Sequence, residues 1–298
     1  MEWQYRAIEL KGRGAFGDVY QVEDLIWRRT LAKKVLRVRN EETLKRFKRD
    51  DAMLRKYAAS PYFVDLYESD VDGPHPYLVL EYAPLGSLQS SVGRLTDWKR
   101  GARWLRDISH GLEEMHVNGD MHRDIKPGNL LLFEYDREIV KFTDFGYGLK
   151  ADTTGPLTNS VFGTIGYADP KAIQRGAYFP EADIYAAGRT MAALFTGSPQ
   201  PSLFGSVPGP TEFRSLITRM MSPVIENRPN PREICLVLDK LLAPAERPVL
   251  SLPTISAGSL AKLGVAAIAA FVLWNSNDWD DIVGRYRNAK GQFASNWL

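Results

Sequence analysis

The segment His122-Arg123-Asp124-Ile125-Lys126-Pro127-Gly128-Asn129 is followed, after a short gap, by Asp144-Phe145-Gly146. Together they bring two carboxylates, one amide, one lysine and one arginine into 25 residues. Phosphoryl transfer calls for this inventory: a base near the attacking hydroxyl, oxygen ligands for Mg²⁺ and a cation for the moving phosphoryl group.

Upstream, Gly12-Arg13-Gly14-Ala15-Phe16-Gly17-Asp18-Val19 has the spacing G-x-G-x-x-G-x-V. Glycine lets a backbone come close to phosphates. Dinucleotide-binding folds carry a similar motif, but there the glycines open a helix. Here the residues after Gly17 alternate, which predicts a strand and a hairpin. Leu31-Ala32-Lys33-Lys34-Val35-Leu36 follows on a predicted strand. Side chains alternate across a strand, so only one of the two lysines faces the glycine loop. Alternation leaves open which of the two, Lys33 or Lys34, that is.

With these motifs in this order, the chain resembles the eukaryotic-type protein serine/threonine kinase family over roughly residues 3–243. The resemblance implies an α+β, two-lobed fold. A small β-rich N-lobe would span 1–84, and a larger helical C-lobe would span 85–243. It also implies transfer of the γ-phosphate of ATP to Ser/Thr hydroxyls of protein substrates, with Mg²⁺, or Mn²⁺ in its place, as the metal. Lysine followed by Pro127 resembles serine/threonine rather than tyrosine kinases. Carried over residue by residue, Asp124 accepts the substrate hydroxyl proton and Lys126 neutralises the transferred phosphoryl group. Asn129 and Asp144 hold metal, and Lys34, standing where the family's V-A-I-K has its lysine, binds the α- and β-phosphates, with Lys33 the fallback. Gly12, Gly14, Gly17, Val19 and Ala32 enclose the nucleotide. The Glu81 carbonyl and Ala83 amide meet the adenine edge, with Leu80 guarding its pocket. Thr164 contacts Asp124 and Lys126. Asp183 orients the catalytic loop, a role compatible with also capping its own helix. His122 and Phe145 are stacking groups. Arg123 pairs with a phosphate on Thr153, Thr154, Thr158 or Ser160.

Two departures from the family pattern stand out. The helix glutamate that partners the strand lysine is replaced by Asp50 or Asp51, and spacing leaves both open. An aspartate reaches roughly 1.5 Å less far, so the helix must sit closer. The segment Ala168-Asp169-Pro170-Lys171 stands where the family has x-A-P-E. Lys171 would repel Arg228, and Glu226 is the expected substitute partner. Two rival readings are a nucleotide-binding scaffold without transfer and a small-molecule phosphotransferase.

Periodicity predicts the elements that must position these groups. Strands are expected at Val19–Val22, Tyr77–Leu80, Leu130–Leu132 and Val140–Phe142. Helices are expected over roughly 41–57, 98–116, 182–194, 211–221 and 231–242. In the 298-residue chain, 38 basic against 36 acidic residues leave a net charge of +2, with no general attraction for nucleic acid. Lys45–Arg49 reads as a solvated helix face. Cys235 is the only cysteine, so no intrachain disulfide forms, and no Cys/His run has zinc spacing. The N-terminus lacks a signal-peptide pattern, so a cytoplasmic kinase domain is expected.

Residues 244–298 open with Pro244 and Pro248, read as a linker. Leu263–Trp274 is then an apolar run of 12 residues, or 20 counted from Ile255 with Lys262 inside. Twenty helical residues just cross the roughly 30 Å of a bilayer core. An apolar tail helix over 255–274 is expected, either anchoring the chain in a membrane or packing on the kinase lobe or on a partner.

Overall fold

Alternating side chains make three strands of the first 36 residues: β1 (Tyr5–Arg13), β2 (Gly17–Asp24) and β3 (Arg29–Leu36). The computed structural model describes residues 4–14, 17–147, 149–150, 164, 166–199 and 207–243. Asn40 then caps α1 (Glu41–Lys56); its side chain accepts from the Thr43 amide, and Thr43 Oγ1 accepts from the Asn40 amide. The buried stripe of α1 is Thr43, Phe47, Asp50, Met53 and Leu54. β4 (Leu66–Asp70) and β5 (Tyr77–Glu81) complete a five-stranded antiparallel sheet of order β1-β2-β3-β5-β4. In this register Lys34 lies opposite Val19 on β2 and Leu78 on β5. Lys33 takes the other face, with its ammonium 4.0 Å from the Tyr77 ring centroid.

Beyond β5 the chain is mainly helical. α2 (Trp98–Val117) is followed by short β6 (Asp120–Met121), then the hairpin β7 (Leu130–Glu134) and β8 (Glu138–Phe142). β9 (Leu149–Lys150) pairs with β6. α3 (Pro170–Arg175), α4 (Pro180–Thr196), α5 (Thr211–Met220) and α6 (Pro231–Leu242) follow. Nearly all of α4 is buried, from Ala182 to Phe195, as expected of the central helix of an all-round apolar core. A β-sheet N-terminal region and a helical C-terminal region are therefore present. They are stitched by the Phe63–Phe142 bridge, with Val64 N donating to Phe142 O at 3.1 Å and Phe142 N to Tyr62 O at 2.8 Å. The rings of Tyr57, Phe63, Phe145 and His122 form a continuous buried stack, at centroid separations of 4.5, 5.7 and 4.9 Å.

The expected helices appear within two residues of their predicted ends. The tail helix over 255–274 lies outside the described residues. No helix among the described residues is long and apolar enough to cross a membrane.

Candidate active site

The 14-residue stretch between Asn129 and Asp144 is the β7–β8 hairpin, whose register sets Leu130 opposite Phe142. That pairing delivers the two segments to one place, and Thr143 N donates to Asn129 O at 3.1 Å. Asp183 organises the first of them from α4. It is fully buried and accepts from the His122 and Arg123 amides at 2.9 Å each, from Tyr178 Oη at 3.0 Å, and pairs with His116 Nε2 at 3.1 Å. Burial pushes the Asp183 carboxyl up, but the His116 hydrogen bond and charge outweigh it, and the group lies below its ordinary range. The α4 N-cap is Phe179, so Asp183 does not cap its own helix.

Two non-glycine residues here have left-handed backbone, Arg123 (φ 69°) and Asp144 (φ 64°). Such conformations cost about 1–3 kcal/mol and persist only where surroundings impose them. The Asp183 bonds hold the first. His122 supports the second: Asp124 N donates to its Nδ1 at 3.3 Å, which makes Nε2 the proton-bearing nitrogen, 3.2 Å from Thr143 O.

Asp124 is the hub. Its Oδ2 accepts from Lys126 Nζ at 2.7 Å and Asn129 Nδ2 at 2.9 Å. Its Oδ1 accepts from Thr164 N at 3.0 Å and Thr164 Oγ1 at 2.8 Å. Lys126 Nζ also reaches Thr164 Oγ1, at 2.7 Å. Thr164 therefore meets both residues named for it.

Lys34, not Lys33, faces this cluster. Its ammonium lies 2.7 Å from Asp50 Oδ2 and 3.2 Å from Asp144 Oδ1. Burial would lower the Lys34 pKa, but the Asp144 and Asp50 carboxylates override it and hold the ammonium above its ordinary range. The Lys34 charge keeps Asp144 below the usual carboxylate range, whereas burial pushes Asp50 above it. The choice between the two aspartates thus falls on Asp50. Its second oxygen accepts from Phe145 N at 2.8 Å, which ties α1 and β3 to the Asp144 turn. Asp51 instead pairs with Arg55 at 3.1 Å. Spacing from Phe47 and Leu54 does not separate them, since Asp50 lies three and four residues away and Asp51 four and three; only Asp50 also stands three residues from buried Met53.

A cleft of about 390 Å³ gathers Gly14, Gly17, Val19 and Lys34 on the sheet side with Asp124, Lys126, Asn129, Asp144 and Thr164 below. A Cβ on Gly17 would come within 2.5 Å of Val35 O, so strand packing alone demands glycine there; one on Gly12 would meet nothing within 4 Å. Gly12, Ala32, Glu81 and Ala83 do not line this cleft. Ala32 pairs with Leu80 across β3 and β5, next to the Leu31–Glu81 pair. The Glu81 side chain is taken by Lys141 at 2.6 Å, and Ala83 O accepts from Gly86 N at 3.1 Å. Thr153, Thr154, Thr158 and Ser160 lie outside the described residues. Arg123 is buried against Tyr178, its guanidinium carbon 5.4 Å from the ring centroid.

The expected Glu226–Arg228 pair does not form. Glu226 is exposed, and Arg228 instead makes a bidentate pair with Asp169, at 2.5 Å and 3.1 Å, with both side chains fully buried. Asp169 also caps α3, accepting from Lys171 N at 2.9 Å. The carboxylate missing at Lys171 is supplied two residues earlier. An aspartate immediately before Pro170 is a typical helix N-cap signal, and that placement brings it inward.

The family model described as the protein kinase domain matches residues 5–234. A serine/threonine-protein kinase PknK of Mycobacterium tuberculosis is 27% identical over 254 residues, covering 83% of this chain and 23% of that protein. A serine/threonine-protein kinase PrkC of Bacillus subtilis is 31% identical over 201 residues, covering 65% of this chain and 30% of that protein. The chain thus spans about a quarter to a third of the length of these relatives.

Proposed function

The chain belongs to the protein kinase domain family, and from that premise we propose that it transfers the γ-phosphate of ATP to serine and threonine hydroxyls of protein substrates. The observation that carries this reading is the Asp124 hub: one carboxylate is held by Lys126, Asn129 and Thr164 at 2.7–3.0 Å in a cleft that Gly14 and Gly17 also line. In this reading Asp124 accepts the proton of the attacking hydroxyl, a contribution of roughly 10²–10⁴-fold. Lys126 faces the transferred phosphoryl group, and Thr164 fixes both. Lys34 holds the α- and β-phosphates, positioned by Asp50. Gly12, Gly14 and Gly17 bring backbone amides to the phosphates, and the open space at Gly12 suits that approach. Ala32, Val19, Glu81 and Ala83 receive the base through apolar contact and backbone hydrogen bonds.

ATP and a divalent metal are the cofactors of this family. The donor set fits such an ion: the Asp144 carboxylate and the Asn129 amide oxygen line one cleft, and hard oxygen donors suit Mg²⁺, with Mn²⁺ the alternative. When bound, the ion neutralises charge on the phosphates. The reading is tested by γ-phosphate transfer to protein substrates, wild type against Asp124→Ala.

The segment 255–274 adds a second proposal, carried by its composition alone: an apolar helix that anchors the kinase domain to a membrane. Its test is fractionation of the full chain against residues 1–243; equal membrane association of the two would refute it, and loss on truncation, with the full chain on membranes, supports it.

A further inference from the structure

Away from the cleft, His110 and Glu113 of α2 and Cys235 of α6 have no part in the proposed chemistry. A spacing of three puts His110 and Glu113 on one face of α2. Cys235 comes from 125 residues further along, so no sequence spacing could announce the group. One donor atom from each lies within 4.8 Å of the other two, and this is the one such trio among the described residues.

The Cys235 Sγ to His110 Nδ1 distance is 3.7 Å. A tetrahedral ion with Zn–S of about 2.3 Å and Zn–N of about 2.0–2.1 Å requires an S···N edge of roughly 3.6 Å. The His110 ring is stacked on Tyr62, with centroids 5.3 Å apart and planes at 19°, which fixes where Nδ1 points. Cys235 is buried while His110 and Glu113 are half-buried, so an ion has a route in from solvent. The nearby Arg106 is engaged by Asp239 at 3.2 Å, which offsets its repulsion of a cation.

We propose that His110, Glu113 and Cys235 form a three-ligand Zn²⁺ site that fastens α2 to α6. Imidazole nitrogen, sulfur and carboxylate oxygen are the zinc donor set, whereas Mg²⁺ and Ca²⁺ take oxygen ligands. Water completes the tetrahedron. On binding, the thiol proton passes to solvent as the Zn–S bond forms, with no change of oxidation state. The inference is independent of the phosphotransfer reading.

The test uses the full chain without nucleotide, with Co²⁺ as a spectroscopic stand-in. The cleft offers only oxygen donors to a metal, so cobalt held there gives no thiolate-to-cobalt charge-transfer band. One equivalent of Co²⁺ should produce that band together with tetrahedral d–d absorption, and Zn²⁺ should displace it. Cys235→Ser should lack the band. Glu113→Gln, at a half-exposed position that leaves the fold intact, should weaken Zn²⁺ binding by more than the roughly 10–100-fold typical of losing a second-sphere partner. Absence of the band in folded wild-type protein would overturn the proposal, as would undiminished Zn²⁺ affinity in Glu113→Gln. Should Cys235→Ser not fold, Glu113→Gln decides alone.

Discussion

Asp169→Ala should lower the melting temperature of this chain by roughly 6–20 °C. Asp169 and Arg228 are both fully buried and doubly bonded. Removing the carboxylate leaves an uncompensated guanidinium in the interior, a loss of about 3–5 kcal/mol. Arg228 keeps its bonds to Ser222 O and Glu181 O, at 2.9 Å each, which argues against a larger figure. Loss of the α3 cap, worth about 0.5–2 kcal/mol, argues against a smaller one. Each kcal/mol corresponds to about 2–4 °C in a domain of this size. Thermal unfolding followed by circular dichroism reads the shift directly. Glu226→Ala, at an exposed position, is the control and should be near neutral. Pairing Asp169→Ala with Arg228→Met should recover part of the loss, because an apolar replacement no longer strands a charge. A shift below about 3 °C for Asp169→Ala, or an equal loss in Glu226→Ala, would refute the assignment of Asp169 as the buried partner.

Asp50→Glu, conservative on paper, should reduce kcat on the order of 10²-fold: the added methylene must push Lys34 or α1 outward, and displacements near 1 Å at a reacting centre cost that much. Steady-state phosphotransfer kinetics check it, and unchanged kcat would show that the short reach of Asp50 is not used. Acid stability should depend on Asp183. Its folded-state pKa is depressed, so its contribution is present above the unfolded value of about 3.9 and is lost as pH falls through the lower folded value. Urea unfolding between about pH 2 and 5 should therefore show a steeper acid limb in wild type than in Asp183→Asn; identical limbs would contradict the sign.

Much of the chemical centre was readable because its residues are close in sequence and tied by local geometry. A hairpin of predictable strands carries the chain from Asn129 to Asp144, and alternation on β3 puts Lys33 and Lys34 on opposite faces, with the match to the family lysine pointing to Lys34. Helix ends were legible where caps and prolines punctuate them, as at Asn40 and Pro231. What escaped depended on contacts between distant segments. Arg228 and Asp169 are 59 residues apart, and only packing of α3 against the segment before α6 makes the pair bidentate. Glu226 looked suitable by proximity in sequence, yet its position faces solvent. Asp50 against Asp51 was not decidable from Phe47 and Leu54, which stand three or four residues from both; one residue along a helix turns a side chain by about 100°, and the packing of α1 turns Asp50 inward. The trio of His110, Glu113 and Cys235 was hidden for the same reason as the Arg228 pair.

The central claim is that Asp124 serves as the base of a phosphotransfer to protein hydroxyls. The most direct measurement is the transfer rate of labelled γ-phosphate to serine and threonine residues, in wild type and in Asp124→Ala, with Mg²⁺ or Mn²⁺ supplied. The account predicts turnover by wild type and a loss of roughly 10²–10⁴-fold in the variant, with ATP binding retained. Wild-type protein inactive with either metal, or a folded Asp124→Ala as fast as wild type, would contradict it.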